Sequence, residues 1–291
     1  MFAAVVIAKN MDPVCCTETA SKINIFKPSN VIYRTAVTGA MLRVLLISRG
    51  ENFYTLFNRW VAAENSREEI VKGYHSLVRE LPDVSVTDGV LVEESSIQPE
   101  NFNLILDDTA TALGSIKKAS FGKLAGYQLV GVPYITFRAV PNLLRHFFRA
   151  PGAKWRFILF GKENSLTESL EILKIALREV GIGGKHSFRG KFSIESVRRV
   201  RLESIKEPLE GELCQPLICR SGGVEETLRR LGLTPIKFRA SSRYSGIAPF
   251  SRVVPALEGV FRAEKGYWME LDGKRFIVTE EDLSWPHRVE I

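Results

Sequence analysis

Residues 155–201 read WRFILFGKENSLTESLEILKIALREVGIGGKHSFRGKFSIESVRRVR, and this stretch decides the predicted fold. Its first six residues form a largely apolar run that is typical of a buried strand. Ser165 and Glu168 have the spacing of a capping box at the start of a helix. Gly181 would end that helix, as glycine commonly does, and a further strand is predicted over residues 191–200. One buried helical face is predicted from apolar residues three and four apart, namely Leu166, Leu170, Leu173, Leu177 and Val180.

The loop between this helix and the following strand is rich in glycine and in hydrogen-bond donors. Four glycines in ten residues allow positive φ angles and let another chain approach the backbone amides closely. The glycines are Gly181, Gly183, Gly184 and Gly190. The donor side chains, with no acidic residue among them, are Lys185, His186, Ser187, Arg189 and Lys191. Backbone amides beside cationic side chains favour a phosphate-binding site.

The position of this loop argues against two familiar kinds of phosphate site. It follows the C-terminus of a helix, whereas P-loops and dinucleotide fingerprints place phosphate at a helix N-terminus. A flexible connection between elements, with solvated charges, remains the alternative interpretation. Charge favours the nucleic-acid interpretation, because the net charge is +7 and the isoelectric point is near 9.2.

One long segment of the chain carries charge of a single sign. Residues 109–162 contain no Asp or Glu. The nine cationic residues in this segment are Lys117, Lys118, Lys123, Arg138, Arg145, Arg149, Lys154, Arg156 and Lys162. Solvated surfaces usually mix their signs. The segment therefore predicts a contact surface for RNA, DNA or an acidic subunit.

The order of predicted elements indicates an α+β fold. Strands at residues 2–8, 84–92, 155–160 and 191–200 alternate with helices to give β-α-β-β-α-β, the ferredoxin-like (RRM-like) topology. Residues 52–81 are predicted to be largely helical. An insertion of about residues 93–154 separates the second and third strands, with a hairpin near 127–137 and a short basic helix at 142–149. Insertions of this length are commonly functional or disordered, and a mobile surface loop is the alternative interpretation.

The remainder of the chain predicts a second, degenerate ferredoxin-like domain. We expect domains at residues 1–202 and 203–291, in tandem, with the long insertion in the first. Asp272-Gly273 predicts a hairpin turn between strands at 267–271 and 275–279. The other elements expected in this part are strands at 217–220, 236–239 and 259–262 and a helix at 225–231. Cys15, Cys16, Cys214 and Cys219 lack zinc-site spacing, so a small-residue core role in a reducing compartment is favoured.

The glycine loop resembles that of the RAMP proteins of CRISPR effector complexes, which read G-x-G-G-K/R-x-S-x-G-x-F between a helix and a strand. The matching residues are Gly181, Gly183, Gly184, Lys185, Ser187 and Phe192. Residues 217–223 and 255–261 resemble the R-x-G-G and E-G-S-V-F stretches of the subunit that caps the guide RNA, although the serine of the latter is missing.

This resemblance implies a non-catalytic crRNA-binding subunit of a type III effector complex, most similar to the Csm-type subunit that caps the crRNA 5′ handle. Its partners would be crRNA, other RAMP subunits and the large subunit, in the cytoplasm, with no membrane, metal or cofactor. RNA would contact the loop and several arginines, while Phe188 or aromatic residues of the insertion stack bases. The predicted RNA-binding residues are Gly181, Gly183, Gly184, Lys185, His186, Ser187, Phe188, Arg189, Gly190, Lys191, Arg34, Arg138, Arg145 and Arg149.

Three alternatives remain open at this stage. A metal-independent endoribonuclease that processes precursor RNA would need a general base and acid, for which His146 and His186 are candidates without an orienting partner. A repeated backbone subunit of the same complex would not need the chain after residue 201. A scaffold without RNA contact would use the basic face to bind an acidic partner. Asp107-Asp108 lacks a third metal ligand, which favours a solvated turn.

Overall fold

The computed structural model describes residues 1–12, 14, 30–51, 56, 67–93, 117–121, 124–131, 140–149, 151–182, 190–219, 223–245 and 252–285. These ranges form a mixed α+β fold built on antiparallel and mixed sheets. The elements up to residue 201 are β1 Phe2–Asn10, β2 Val31–Ile32, α1 Arg34–Ser48, α2 Arg67–Val78, β3 Val84–Val86, β4 Gly89–Glu93, β5 Lys117–Phe121, β6 Leu124–Gly131, β7 Val140–Arg149, β8 Lys154–Gly161, α3 Glu163–Ile175 with a π turn Ala176–Val180, and β9 Phe192–Arg201. Those after it are β10 Glu203–Ser204, β11 Leu209–Leu213, β12 Leu217–Ile218, α4 Gly223–Leu231, β13 Leu233–Ser245, β14 Arg252–Ala263, β15 Tyr267–Leu271, β16 Lys274–Val278 and α5 Glu280–Ser284.

The first sheet is antiparallel and has β1 near its centre. Its strand order is β2-β4-β8-β1-β9, and β3 also pairs with β8. β1 is antiparallel to β8 on one side and to β9 on the other. The chain order β1-α1-β4-β8-α3-β9 is the β-α-β-β-α-β order that the sequence predicts.

The apolar run of β1 is explained by burial on both faces of the sheet. Ala4 and Val6 face the first hydrophobic core, in which side chains of α1, α2 and α3 pack on the sheet. Ala3 and Val5 face a second core. A strand covered on both sides reads as continuously apolar because neither face meets water.

The second core joins the first sheet to a second sheet. Ile158 and Phe160 of β8 pack there against Met269 and Phe276. The second sheet has the order β10-β15-β16-β11-β14-β12, with β13 also paired to β14. A third core lies between this sheet and α4. Cys214 and Cys219 are buried with free thiols, which confirms their predicted core role, whereas Cys15 and Cys16 lie outside the described residues.

The second sheet departs from the pattern of the first. β11 and β16 are parallel, whereas all the pairs described in the first sheet are antiparallel. The hairpin predicted at Asp272-Gly273 is confirmed, because both residues have the positive φ angles, 53° and 74°, that its turn requires. The predicted division of the chain at residue 202 stays a prediction.

Two local predictions were wrong. Residues 142–149 belong to strand β7, which pairs with β6, and an isolated helix of that length is marginal in water. Ser165 lies within α3, which is preceded by Lys162 without a side-chain cap. The capping box is instead at Thr279 and Asp282, ahead of α5. Most of residues 52–66 lie outside the described ranges, and α2 accounts for the rest of the long helix predicted there.

None of the helices in the described ranges is long and apolar enough to cross a membrane.

Candidate nucleic-acid interface

The base of the glycine loop is closed by backbone hydrogen bonds. Gly181 has a φ of 72°, and its N–H donates to the carbonyl of Ala176 at 2.8 Å, which ends the π turn. Ile182 and Gly190 then form an antiparallel bridge, with N–H to oxygen distances of 2.9 and 3.1 Å. The chain thus leaves the helix in a left-handed conformation that glycine adopts without steric cost, and it returns directly into β9.

The end of β1 ties this loop to the return of the insertion. Asn10 is fully buried, and its N–H donates to the carbonyl of Ala153 at 3.1 Å while its own carbonyl accepts from Gly152 at 2.7 Å. The next residue, Met11, donates to the carbonyl of Lys191 at 2.7 Å. The Asn10 side chain accepts from Trp155 Nε1 at 3.3 Å. The loop and the insertion therefore meet the first sheet side by side.

The two ends of the insertion are joined by charge as well as by strand pairing. Glu93 at the end of β4 is the register partner of Lys154 at the start of β8. The Lys154 ammonium lies 2.8 Å from Glu93 and 3.7 Å from Glu195 of β9, and its hydrogen bond to Glu93 raises its pKa. Lys154, one cation of the acid-free segment, thus helps to hold the two ends of the insertion together.

Within the insertion, β5, β6 and β7 form an antiparallel sheet of their own. Its register aligns Lys117 with Gln128 and Gln128 with Arg145, so these three positions form a row across the strands. Arg149 lies at the end of β7, opposite Leu124. Four cationic positions of the segment, Lys117, Lys118, Arg145 and Arg149, are therefore brought from two strands onto one small sheet.

All the predicted RNA-binding residues except Arg34 fall into three groups. Gly181, Gly190 and Lys191 lie at the hydrogen-bonded base of the loop, where Lys191 is exposed. Arg145 and Arg149 lie on β7. Outside the described residues lie Gly183, Gly184, Lys185, His186, Ser187, Phe188, Arg189 and Arg138.

Arg34 lies apart from these residues. It begins α1, is only 7% exposed, and its guanidinium carbon lies 4.3 Å from the centroid of the Trp285 ring. A cation over an indole face at this distance is attracted by the ring quadrupole. Its assignment to RNA stays a prediction, while the structure shows its side chain packed against the C-terminal part of the chain.

A polar cluster centred on Asp88 joins the first sheet to the second sheet. The buried Asp88 carboxylate accepts from the Arg34 backbone N–H at 2.7 Å, and the Asp88 N–H donates to Gln215 Oε1 at 2.6 Å. Burial raises the pKa of Asp88, while the charges of Arg34 and Arg243 oppose that shift. Arg243 of β13 is itself buried and pairs with Glu258 of β14 at 2.6 Å. Segments distant in sequence are thus held by one charged network.

Sequence reasoning missed Asp88 because residues 84–92 were predicted to be one strand. The strand is interrupted at Thr87 and Asp88, between β3 and β4. Thr87 keeps the interruption bonded to β8, since its N–H donates to the Ile158 carbonyl at 2.8 Å and its hydroxyl accepts from the Ile158 N–H at 3.0 Å. The signal that indicates this break is the Asp-Gly pair at 88–89, which is a turn signature.

Helix α5 carries a buried carboxylate, that of Asp282, and its raised pKa predicts that stability depends on pH. Burial raises the pKa of Asp282 to about 6 from 3.8, although hydrogen bonds from Thr279 oppose the shift. The folded state therefore binds this proton more tightly than the unfolded state. Between pH 3.8 and about 6 the contribution of Asp282 to the free energy of unfolding falls as pH rises.

Wild type should consequently gain stability relative to Asp282→Asn as the pH is lowered from about 7 to about 4. Urea unfolding at several pH values measures the difference between the two proteins. Asp272→Asn is the matched control, because the Asp272 side chain is 78% exposed. Parallel stability curves for wild type and Asp282→Asn would contradict the expected titration.

No protein-family model matches the sequence, and no curated protein matches it either. Among solved structures, a CRISPR protein from Archaeoglobus fulgidus is 12% identical with a TM-score of 0.41, and the match covers 96% of this chain and 100% of that one. A chain of a Type III-B Cmr-beta complex bound to cognate target RNA is 9% identical with a TM-score of 0.45, covering 89% and 86%. A chain of a Csm1–Csm4 cassette in complex with one ATP is 8% identical with a TM-score of 0.37, covering 96% and 95%.

Type III CRISPR complex subunits are thus among the solved structures that resemble this chain. At such low identities and TM-scores, the similarity by itself assigns no function.

Proposed function

We propose that this chain is a non-catalytic crRNA-binding subunit of a type III CRISPR effector complex. In this proposal the chain consists of tandem ferredoxin-like units, the second degenerate, and it holds the 5′ handle of the guide RNA. The glycine loop binds phosphates through backbone amides and through Lys185, Arg189 and Lys191. The insertion grips the same strand of RNA from beside the loop.

The observation that carries this proposal is the shared base of the loop and the insertion. Both meet the first sheet where Asn10 and Met11 bond to Ala153 and Lys191. Two segments that the sequence marks as cationic and acid-free are therefore neighbours at their bases, although α3 separates them along the chain. A single-stranded nucleic acid could then contact both at once, which favours a continuous backbone groove.

Whether the bound RNA is a guide RNA can be tested by identifying the RNA that co-purifies with the protein from its source cells. We expect the tagged protein to retain a short RNA population whose members share one 5′ end derived from CRISPR repeats. A population without a common 5′ end would contradict handle binding. Discrete cleavage of repeat RNA by the purified protein in EDTA would overturn the non-catalytic assignment in favour of the endoribonuclease.

The cationic side chains of the glycine loop should strengthen RNA binding by neutralising the charge of the RNA phosphates. Replacing Lys185, Arg189 and Lys191 with alanine should weaken single-stranded RNA binding and reduce the salt slope by about 0.7 for each phosphate that is no longer neutralised. Fluorescence anisotropy at several salt concentrations measures both quantities. The matched control removes the same charge at three exposed positions elsewhere, Lys206, Arg229 and Lys265.

The control triple variant should keep a salt slope close to that of wild type. Equal slopes for the loop variant and wild type, with both proteins folded, would place the RNA-binding surface outside this loop.

A further inference from the structure

Strand β9 forms one edge of the first sheet and is long, regular and uncovered. It has ten residues, and none of the described strands pairs with its outer edge. Residues 196–201 pair with residues 2–7 of β1 without a break in register. Every residue from 195 to 199 is exposed, so neither face of the middle of the strand is covered. Alternate N–H and C=O groups of such an edge point outward, where they can bond another chain.

Most of the other edge strands described are protected from pairing in ways that β9 is not. β2, β10 and β12 have two residues each. β13 contains Pro235 with a register shift beside it, and β7 contains Pro141. Short strands, prolines and bulges at an edge hinder pairing with another chain. β9 contains no proline, and its own register shift, at Glu195, lies outside residues 196–201. This part of β9 is therefore open to an added strand.

The regular part of β9 carries three cations and no acid, because residues 196–201 read Ser-Val-Arg-Arg-Val-Arg. Arg198 lies 3.3 Å from Asp272 and Arg199 lies 3.5 Å from Glu163, with the four side chains 45% to 78% exposed. Exposed pairs of this kind are weak, so other carboxylates can replace their partners. No described carboxylate lies within ion-pair distance of Arg201. Like charges oppose pairing with β9 of a second copy, whereas they favour an acidic strand.

The arginines lie on both faces of the sheet, which favours a protein strand over RNA as the occupant. Arg199 is opposite Ala4, on the face that packs on the helices, and its guanidinium donates to Thr167 of α3 at 2.8 Å. Arg198 is opposite Val5, on the face towards the second sheet. A strand added at the edge presents its side chains to both faces in alternation. Phosphate groups accept hydrogen bonds but donate none, so they would leave the outward C=O groups of β9 to water.

We propose that the outer edge of β9, over residues 196–201, is a docking site for an extended acidic segment of another protein, which pairs there as an additional β-strand. Backbone hydrogen bonds supply the affinity, and the arginines select carboxylates on the incoming strand. The site lies away from the glycine loop, because Arg201 pairs with Phe2 at the start of β1, whereas the base of the loop meets the end of β1 beside Asn10. The inference therefore does not depend on the proposed function.

The selection for charge is tested with two labelled peptides of about ten residues, the length of a long strand. One repeats Glu-Glu-Val-Val and the other Lys-Lys-Val-Val, so each carries its charges on both faces of a strand. Fluorescence anisotropy should show that wild type binds the acidic peptide at least about tenfold more tightly, since each exposed pair contributes up to about fivefold. A triple variant with Arg198→Glu, Arg199→Glu and Arg201→Glu should reverse this preference.

The matched control makes the same change at three arginines that are exposed elsewhere, Arg79, Arg229 and Arg262. This control should keep the preference of wild type for the acidic peptide. Because all the substituted side chains are exposed, both triple variants should remain folded, and circular dichroism with thermal unfolding checks this. An equal loss of preference in the two variants would show that net charge and not β9 selects the peptide, which would overturn the proposal.

Pairing through the backbone is tested with the acidic peptide N-methylated at either its odd or its even amides. A strand bonds its neighbour through alternate residues. One methylated peptide should therefore bind at least about tenfold more weakly, because several backbone hydrogen bonds are lost. The other, methylated on its solvent edge, should bind like the parent. Hydrogen exchange should show that the parent peptide protects amides of residues 196–201.

Three results would overturn the docking site while leaving RNA binding by the glycine loop intact. The first is that folded wild type does not bind the acidic peptide or shows no preference for it. The second is equal binding of the parent peptide and both methylated peptides, which would indicate charge attraction without strand pairing. The third is single-stranded RNA binding that weakens, with a smaller salt slope, in the β9 triple variant but not in its control, since this would assign the edge to RNA.

Discussion

Replacing Phe157 with alanine is expected to lower the free energy of unfolding by about 3–5 kcal/mol. Phe157 lies on β8 opposite Val6 of β1, and its ring is fully buried in the first core. It packs edge to face on Phe192, with the two centroids 5.8 Å apart and the planes at 87°. Alanine would remove the apolar burial and leave a cavity between the first sheet and the helices that pack on it, which cannot easily collapse. Chemical and thermal unfolding measure the loss, which corresponds to roughly 10 °C in Tm.

Phe238→Ala is the matched control for this variant. It makes the same chemical change at a ring that is about half exposed, so it should cost about 1 kcal/mol or less. Equal losses for the two variants would contradict the burial that places Phe157 in the core.

The close packing of Gly89 on the Phe157 ring allows a second test of this core. A Cβ at this position would lie 2.4 Å from Cε1 of Phe157, so Gly89→Ala should cost about 1–3 kcal/mol by overpacking. Phe157→Leu should relieve that clash, which predicts a double variant less destabilised than the sum of the two single ones, by about 0.5 kcal/mol or more. Additive losses would show that the two residues do not share this space.

Asp88→Ala is expected to lower the free energy of unfolding by about 3 kcal/mol. The substitution removes the acceptor for the Arg34 backbone N–H and the carboxylate that faces the charges of Arg34 and Arg243. Its cost should lie at the lower end of the range for broken buried pairs, because Arg243 keeps Glu258 and Arg34 keeps Trp285. Equilibrium unfolding in urea measures the change.

Asp272→Ala makes the same replacement at an exposed ion pair. Asp272 lies 3.3 Å from Arg198 with its side chain 78% exposed, so its loss should cost no more than about 1 kcal/mol. If Asp88→Ala were as mild as this control, the Asp88 cluster would not hold the two sheets together.

Local patterns in the sequence predicted a large part of the first sheet. The apolar run of β1, the periodic apolar face of α3 and the glycine that ends its π turn were each recognised without tertiary information, and the structure confirms them. The hairpin at Asp272-Gly273 was predicted on the same basis. These features are encoded locally, because periodicity and turn chemistry reflect the backbone conformation of neighbouring residues.

The misplaced helix at residues 142–149 shows the limit of such patterns. A basic and aromatic segment of this length suits a short helix or a strand equally well. Its pairing with β6 decides the outcome, since the sheet satisfies backbone groups that a short helix would leave exposed. The same limit applies to the candidate site. The sequence indicated the loop and the insertion as RNA-binding segments, but it did not indicate that both are anchored beside Asn10.

The sequence by itself determined most elements of the first sheet, their order and the acid-free character of the candidate RNA-binding segments. Tertiary structure alone decided which segments meet. The hydrogen bond from Asp88 to Gln215 joins residues 127 positions apart, and that from Ser85 to the Asp282 carbonyl joins residues 197 positions apart. Trp285, predicted to belong to the second unit, is buried in the first core. No local pattern specifies such contacts, because they depend on how two finished sheets pack and on which buried charges each can then neutralise.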